Sequence, residues 1–383
     1  MPTRILHQRL SFGVSLGAFV VLFPLFYLYH YAVAGGVSPF LQGYTGRASL
    51  MCLFPLALAY WLSVEVDRRA FLVDIVFWGF LAFKLFWILL SSTYNAHQEV
   101  TQSYLGSIVI WACLYIIARL LPVGSRTAQI IFFLSQLTML AVIFSGTSMG
   151  VFRIGAGDSV VTYQAFAVIY LITALLCLAS IENPFLMWVQ IAAATIGLFL
   201  IGARSELLAL AIFAALMFGF VKNSAINLSV LMGGALLILY NINFIEGFSE
   251  NRFYDLVVNM AAGTRMGRDL ANELALQVLT TSPVIGEYAS YPPGLYAHNI
   301  LSVWVDFGLF GLLWFALLLS LPLLFAISKR RWLGRDRFFA LSVALMITTV
   351  SMLMTVKVFT YLLVPFAVGF AASRLSRREF AQR

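Results

Sequence analysis

The chain has 383 residues, 62% of them hydrophobic and only 10% charged, with a formal net charge of +8. A soluble domain usually carries about 25% charged residues, so a water-soluble enzyme is excluded and one polytopic membrane domain is expected. The positive balance is the ordinary positive-inside bias of a polytopic chain and not a nucleic-acid footprint.

Apolar segments fall in chain order at 12–34, 48–64, 71–91, 103–121, 128–145, 160–179, 184–202, 206–221, 226–242, 299–327, 338–356 and 358–373. A helix of roughly 20 apolar residues crosses the ~30 Å hydrocarbon core. The expected fold is all-α and polytopic, with about twelve transmembrane helices. Gly35-Gly36, Gly146 and Asn183-Pro184 supply turn and cap chemistry at the breaks. The first run ends in Ala32-Val33-Ala34, which resembles a signal-peptidase site. It is longer than a signal h-region of about 7–15 residues, so a retained first helix is expected. Cys52, Cys113 and Cys177 all lie in apolar runs. They read as small buried residues, with neither a disulfide framework nor metal-ligand spacing.

Cation placement sets the orientation, because Lys and Arg are retained on the cytoplasmic side. With the N-terminus inside, 16 of the 24 cations are cytoplasmic, from Arg4 and Arg9 to the basic tail at Arg374, Arg377, Arg378 and Arg383. Both termini are then cytoplasmic. Arg47, Arg153, Arg204, Arg252, Arg265, Arg268 and Lys357 fall outside, and Lys84 lies within a span. Outward cations run against the bias and need another reason to exist; simple solvation suffices for Arg47.

Three parts follow from this layout: helices one to nine over 1–242, a periplasmic loop over 243–298, and the last three helices with the basic tail over 299–383. Arg204 sits in the short break Gly202-Ala203-Arg204-Ser205-Glu206. At an interface it either snorkels beside Glu206 or binds a ligand. The 243–298 loop is the only long one and carries Arg252, Arg265 and Arg268; a long loop in a compact protein is usually functional. Within it Met266, Leu270, Leu274 and Val278 recur every four residues, predicting an amphipathic helix that Pro283 ends. The arginines at its N-terminal end, with the free N–H groups there, suit a phosphate. Tyr288, Tyr291 and Tyr296 follow, with ring faces that suit sugars and equally suit a membrane interface. His298-Asn299 then opens the next span, as a proton-handling group or as a capped interfacial histidine.

Gly263-Thr264-Arg265, the turn Ser282-Pro283-Val284-Ile285-Gly286, and His298-Asn299 leading to Asp306-Phe307-Gly308-Leu309-Phe310-Gly311 resemble the O-antigen polymerase and ligase superfamily of bacterial membrane glycosyltransferases. Ala203-Arg204-Ser205 resembles the family's upstream arginine. The likeness is direct over roughly 60 residues and architectural elsewhere. It implies a GT-C-like protein of the bacterial inner membrane with a periplasmic active site. The donor would be an undecaprenyl-pyrophosphate-linked glycan and the acceptor a glycan or lipid A core. By the same resemblance His298 would be the general base, Arg204 and Arg265 the pyrophosphate ligands, Arg268 or Arg252 a further contact, and the three tyrosines glycan contacts. The transfer would be inverting, with no metal and no cofactor, no nucleic acid as partner, and other polysaccharide-assembly membrane proteins as candidate partners. Eight residues separate Asn299 from Gly308, one fewer than in the ligase pattern. A polymerase is therefore the leading expectation and a ligase the runner-up. A polytopic transporter or lipid-linked-sugar flippase shares the span count and would use intramembrane polar residues such as Lys84.

Overall fold

The computed structural model describes residues 2–41, 43–63, 67–91, 98–148, 151–152, 163–220, 268–289, 297, 299–329 and 336–376. In chain order the helices are α1 (Pro2–Leu22), α2 (Pro24–Ala34), α3 (Tyr44–Ser63), α4 (Arg68–Ser91), α5 (Gln98–Leu120), α6 (Arg126–Ser145), α7 (Tyr163–Ser180), α8 (Pro184–Ile201), α9 (Arg204–Phe220), α10 (Arg268–Thr281), α11 (Leu301–Ser328), α12 (Arg337–Thr355) and α13 (Leu363–Ser376). The strand pairing among the described residues is one short antiparallel ladder, β1 Thr147–Ser148 with β2 Val151–Phe152.

Among the described residues eight helical stretches are long and apolar enough to cross a membrane, α1 and α2 counting as one over Arg9–Ala34. The protein is a multi-pass helical membrane protein. The expected segments at 48–64, 206–221 and 358–373 form the helices α3, α9 and α13. The expected span at 226–242 lies outside the described residues.

Local chemistry ends the helices where the sequence predicts. Asn183 caps α8, its side chain accepting from Phe185 N at 2.9 Å, with Pro184 at the first helical position. Gly35 and Gly146 close α2 and α6. Pro24 stands at the first position of α2, where it has no N–H to continue the ladder of α1.

Two helices are enclosed. From Phe166 to Ala179 every residue of α7 is buried, as expected of a helix apolar all round. α5 is wedged among α1, α3, α4 and α13, with Trp111, Cys113 and Tyr115 fully buried. The outer wall is apolar as well, with Trp61 81% and Phe54 77% exposed, which suits lipid contact. Within the bundle, polar side chains pair with one another. Gln190 donates to Gln136 at 2.6 Å across α8 and α6, and Arg119 Nε lies 3.4 Å from Asp74 Oδ1. The three cysteines are buried and free.

The bundle has a basic end. Arg69 donates to Ser328 Oγ at 3.1 Å, Lys329 to Leu375 O at 3.3 Å, and Arg337 to Leu178 O at 3.0 Å. These bonds gather the start of α4, the end of α11, the end of α13, the start of α12 and the end of α7. The opposite end holds the α8–α9 break, the α12–α13 bend and the α10–α11 connection, and the candidate site is built there.

Candidate functional site

Gly202 makes the α8–α9 break possible. It takes a left-handed conformation (φ 77°), and Ala203 N returns to Leu198 O at 3.0 Å. Glycine reaches that region without a Cβ penalty, so the chain reverses within a few residues. Ala203 is fully buried, and Arg204 is half-buried as the first residue of α9. Ser205 Oγ donates to Glu206 Oε2 at 2.9 Å. Glu206 is fully buried and takes Lys357 as its ion-pair partner, Nζ to Oε1 at 2.6 Å. From the first turn of α9, Glu206 thus reaches the chain after α12.

That chain, residues 356–361, ties two remote parts of the site together. Lys357 reaches α9 and also stands 5.0 Å from the centre of the Tyr361 ring. Two residues on, Phe359 N donates to Ser302 Oγ at 3.2 Å, in the first turn of α11. Ser302 Oγ in turn donates to Asn299 O at 2.8 Å, and Asn299 Oδ1 accepts from Leu301 N at 2.9 Å. Asn299 Oδ1 thus meets a backbone N–H at the start of α11, whose N-cap position is Ile300.

The Ser282–Gly286 turn is interlocked with α11. α11 is interrupted at Gly308, whose φ of 65° and ψ of −168° are not helical. The turn fits into this break: Leu309 N donates to Val284 O at 3.1 Å, Glu287 N to Val305 O at 2.7 Å, and Trp304 Nε1 to Pro283 O at 2.7 Å. The turn thereby supplies backbone partners where the helix breaks its own ladder. A Cβ on Gly286 would meet Val305 O at 2.5 Å and Gly308 N at 2.7 Å; one on Gly308 would overlap the Val284 carbonyl.

α10 precedes this turn and packs on α11 by a face that takes in Val278 of the predicted stripe. Ala271 and Ala275 are buried and Leu274 is only half-buried. The contact is made by Ala275, Val278 and Leu279 against Ala297, Leu301 and Val305. Val278 belongs to the predicted row, while Ala275 and Leu279 each lie one residue, about 100°, beyond Leu274 and Val278. Alanines at the contact allow a closer approach of the two backbones than leucines would.

Beneath the turn lies a buried polar group. Asp306 is fully buried; Oδ2 accepts from Tyr104 Oη at 2.6 Å and Oδ1 from Ala289 N at 3.1 Å. Lys84 is also fully buried. Its Nζ donates to Ser107 Oγ at 2.5 Å and lies 5.3, 5.3 and 5.2 Å from the Tyr104, Trp111 and Phe359 ring centres. An ammonium over aromatic faces is stabilised by their quadrupoles. Asp306 was legible only as part of a motif. The signal for its role was a carboxylate inside an apolar run, which is costly without partners.

Of the residues the sequence nominates, Arg204 and Tyr288 are described with their side chains. Tyr288 is buried, its ring 5.7 Å from Tyr104 and 6.0 Å from Phe307, so it supports the turn and offers a sugar little ring surface. Burial pushes its phenol up to about 12, with the Thr101 hydroxyl opposing and the Asp306 charge adding to the rise. Arg268 is the first residue of α10, and its side chain is outside the described part. Arg252, Arg265, Tyr291, Tyr296 and His298 lie outside the described residues. The flanks of His298 are placed: Ala297 is buried against α10, and Asn299 accepts from Leu301 N at the start of α11. Among the described residues no three His, Cys, Asp or Glu side chains come together as a metal site would require.

The fold and site define a multi-pass helical membrane protein with a polar assembly at the end opposite its basic one. The chain matches no protein-family profile, no curated protein and no solved structure.

Proposed function

We propose that the chain is a membrane glycosyltransferase that acts on undecaprenyl-pyrophosphate-linked oligosaccharide and polymerises repeat units of a surface polysaccharide. On this reading it crosses the bacterial inner membrane twelve times in a GT-C-like arrangement, with both termini cytoplasmic and the site periplasmic. The observation that carries the reading is the 356–361 bend. Through Lys357 it holds Glu206, beside Arg204, and through Phe359 it holds Ser302, three residues past Asn299. The first turn of α9, which begins at Arg204, and the start of α11 are thereby tied to one short segment, which supports a shared site for leaving group and acceptor.

The chemistry is a displacement at the anomeric carbon with inversion. The acceptor hydroxyl oxygen forms the new bond and its proton passes to His298. The bond from the anomeric carbon to the pyrophosphate oxygen breaks, and undecaprenyl pyrophosphate leaves. Arg204 and Arg265, with Arg268 or Arg252, meet the charge that develops on the leaving group; the guanidinium fork matches phosphate oxygens two at a time. Tyr291 and Tyr296 are the remaining candidates for glycan contact.

Reconstitution with undecaprenyl-pyrophosphate oligosaccharide tests the proposal, alone and with lipid A core. Longer lipid-linked glycan supports the polymerase, and transfer to core supports the ligase instead. If neither product forms while His298→Ala and Arg265→Ala complement fully in cells, the glycosyltransferase reading is rejected. The transporter reading has its own support in the fully buried Lys84, and it gains if Lys84 is required where His298 is not.

A further inference from the structure

We infer that the seam between α4 and α11 at the basic end docks an anionic phospholipid, with Arg69 and Lys329 on its phosphate and Leu72 and Leu324 against its acyl chains. Arg69 is the second residue of α4 and Lys329 the first beyond α11, so both stand at one boundary of the apolar bundle. A cation with no other task reaches out to water, and these two are drawn onto neighbouring helix ends instead. Arg69 Nη1 donates to Ser328 Oγ at 3.1 Å, and its guanidinium lies 5.9 Å from the centre of the Phe325 ring. Lys329 Nζ donates to Leu375 O at 3.3 Å. The two charges oppose each other. Burial pulls the Lys329 ammonium down, the Arg69 charge lowers it further, and the Asp67 carboxylate works against both. Asp67 is itself engaged at the start of α4, where Oδ1 accepts from Arg69 N at 3.0 Å. An anion held between Arg69 and Lys329 relieves their repulsion.

The occupant is a lipid because the surface next to the cations is apolar. Leu72, three residues along α4 from Arg69, is 40% exposed, and Leu324, four residues before Ser328 on α11, is 58% exposed. Those spacings put each leucine on the face of its helix that carries the polar contact. Behind them the seam is closed. Trp314 Nε1 donates to Val76 O at 3.1 Å, and a Cβ on Gly79 would meet the Trp314 ring at 2.6 Å. The two helices are thus locked, and the cations are spaced before any lipid arrives, which reduces the ordering that binding requires. A guanidinium fork and an ammonium together suit a phosphate. A free phosphate would leave the leucines unused. A zwitterionic headgroup brings its own cation, so a net negative headgroup fits the pair better. This end lies opposite the one proposed for transfer, so lipid docks there whether or not the chain is a transferase.

Lipid titration of the full chain in a neutral detergent tests this. Dioleoylphosphatidylglycerol or dioleoylphosphatidylcholine is added, and the apparent Kd of the first bound lipid is read by native mass spectrometry. The native chain is expected to prefer phosphatidylglycerol by roughly tenfold or more. Arg69→Gln/Lys329→Gln is expected to lose that preference while its affinity for phosphatidylcholine stays the same. Arg126→Gln removes an exposed cation at the start of α6 and is expected to keep the preference. Where the double variant does not fold, Arg69→Gln alone, at an exposed position, is expected to lose part of it. A full preference in the folded cation-removed variant overturns the inference. An equal loss in Arg126→Gln also overturns it, because the preference would then belong to the whole basic end. Inorganic phosphate and poly-glutamate serve as competitors, and neither is expected to displace phosphatidylglycerol. Displacement by inorganic phosphate would make this a free-phosphate site, and displacement by poly-glutamate a site for an acidic protein; either result overturns lipid docking.

Discussion

Lys357 Nζ lies 2.6 Å from Glu206 Oε1, joining the bend after α12 to the first turn of α9. Both side chains are almost wholly buried, at 10% and 1% exposure. A buried charge without its partner is costly, whereas removing both charges is close to neutral. Lys357→Met or Glu206→Gln alone should each destabilise by about 3–5 kcal/mol. The double variant should recover much of that loss. Unfolding midpoints in detergent check this; additive losses would show that the two charges are not coupled.

Gly286 and Gly308 should be irreplaceable for a different reason. Both have positive φ, 74° and 65°, and each Cβ would enter the other segment's backbone. Alanine at either should cost about 1–2 kcal/mol for the left-handed backbone and about 1–3 kcal/mol for overpacking. Gly17 of α1, with open space around it, is the control; Gly17→Ala should be neutral or stabilise by about 0.5–1 kcal/mol. Yield of monodisperse protein and thermal midpoints separate the two groups.

Tyr288 gives a signed pH dependence. Its phenol is raised from 10.0 to about 12 by burial. The folded state therefore holds the proton more tightly than the unfolded chain. The stability involved is fully present below pH 10 and is lost as pH rises from 10 towards 12. The unfolding midpoint of the native chain should drop over that window. The drop should be smaller in Tyr288→Phe, and below pH 9 the two proteins should show parallel pH profiles.

For the proposed transfer, His298→Ala should lower kcat by roughly 10²–10⁴-fold, the usual worth of a general base. Arg204→Lys keeps the charge but loses the two-pronged fork, and should cost about 10²-fold in kcat. Single-turnover assays with lipid-linked donor measure both. Loss of donor binding with kcat intact would move Arg204 from leaving-group stabilisation to substrate capture.

Lys84 separates transfer from transport. Its ammonium is held by Ser107 and three rings. Lys84→Met should lower the unfolding midpoint yet retain glycan transfer. A Lys84→Met protein that folds normally but fails to complement, beside a fully active His298→Ala, would favour a transporter.

The sequence was most legible where structure is local. Asn183-Pro184, Gly146, Asn299 and Pro283 act within one helical turn, and each stands at a helix boundary. Of the α10 stripe, Val278 meets α11; the contact also takes in Ala275, which periodicity passes over because it finds the larger apolar residues. Lys357 was legible as an outward cation without a reason. Its reason is Glu206, a residue in a helix that no local pattern connects to it.

The amino-acid sequence by itself determined the solvent. With only 10% charged residues and repeated apolar runs, the chain must bury its backbone polar groups in helices within a bilayer. It also determined which residues run against their surroundings: Arg204, Lys84 and Lys357. Tertiary structure alone decided what those residues meet, because partners such as Asp306 and Tyr104, or Glu206 and Lys357, are brought together by helix packing. A charge in a membrane must find a partner, and sequence reveals that need; only the packed bundle reveals the partner.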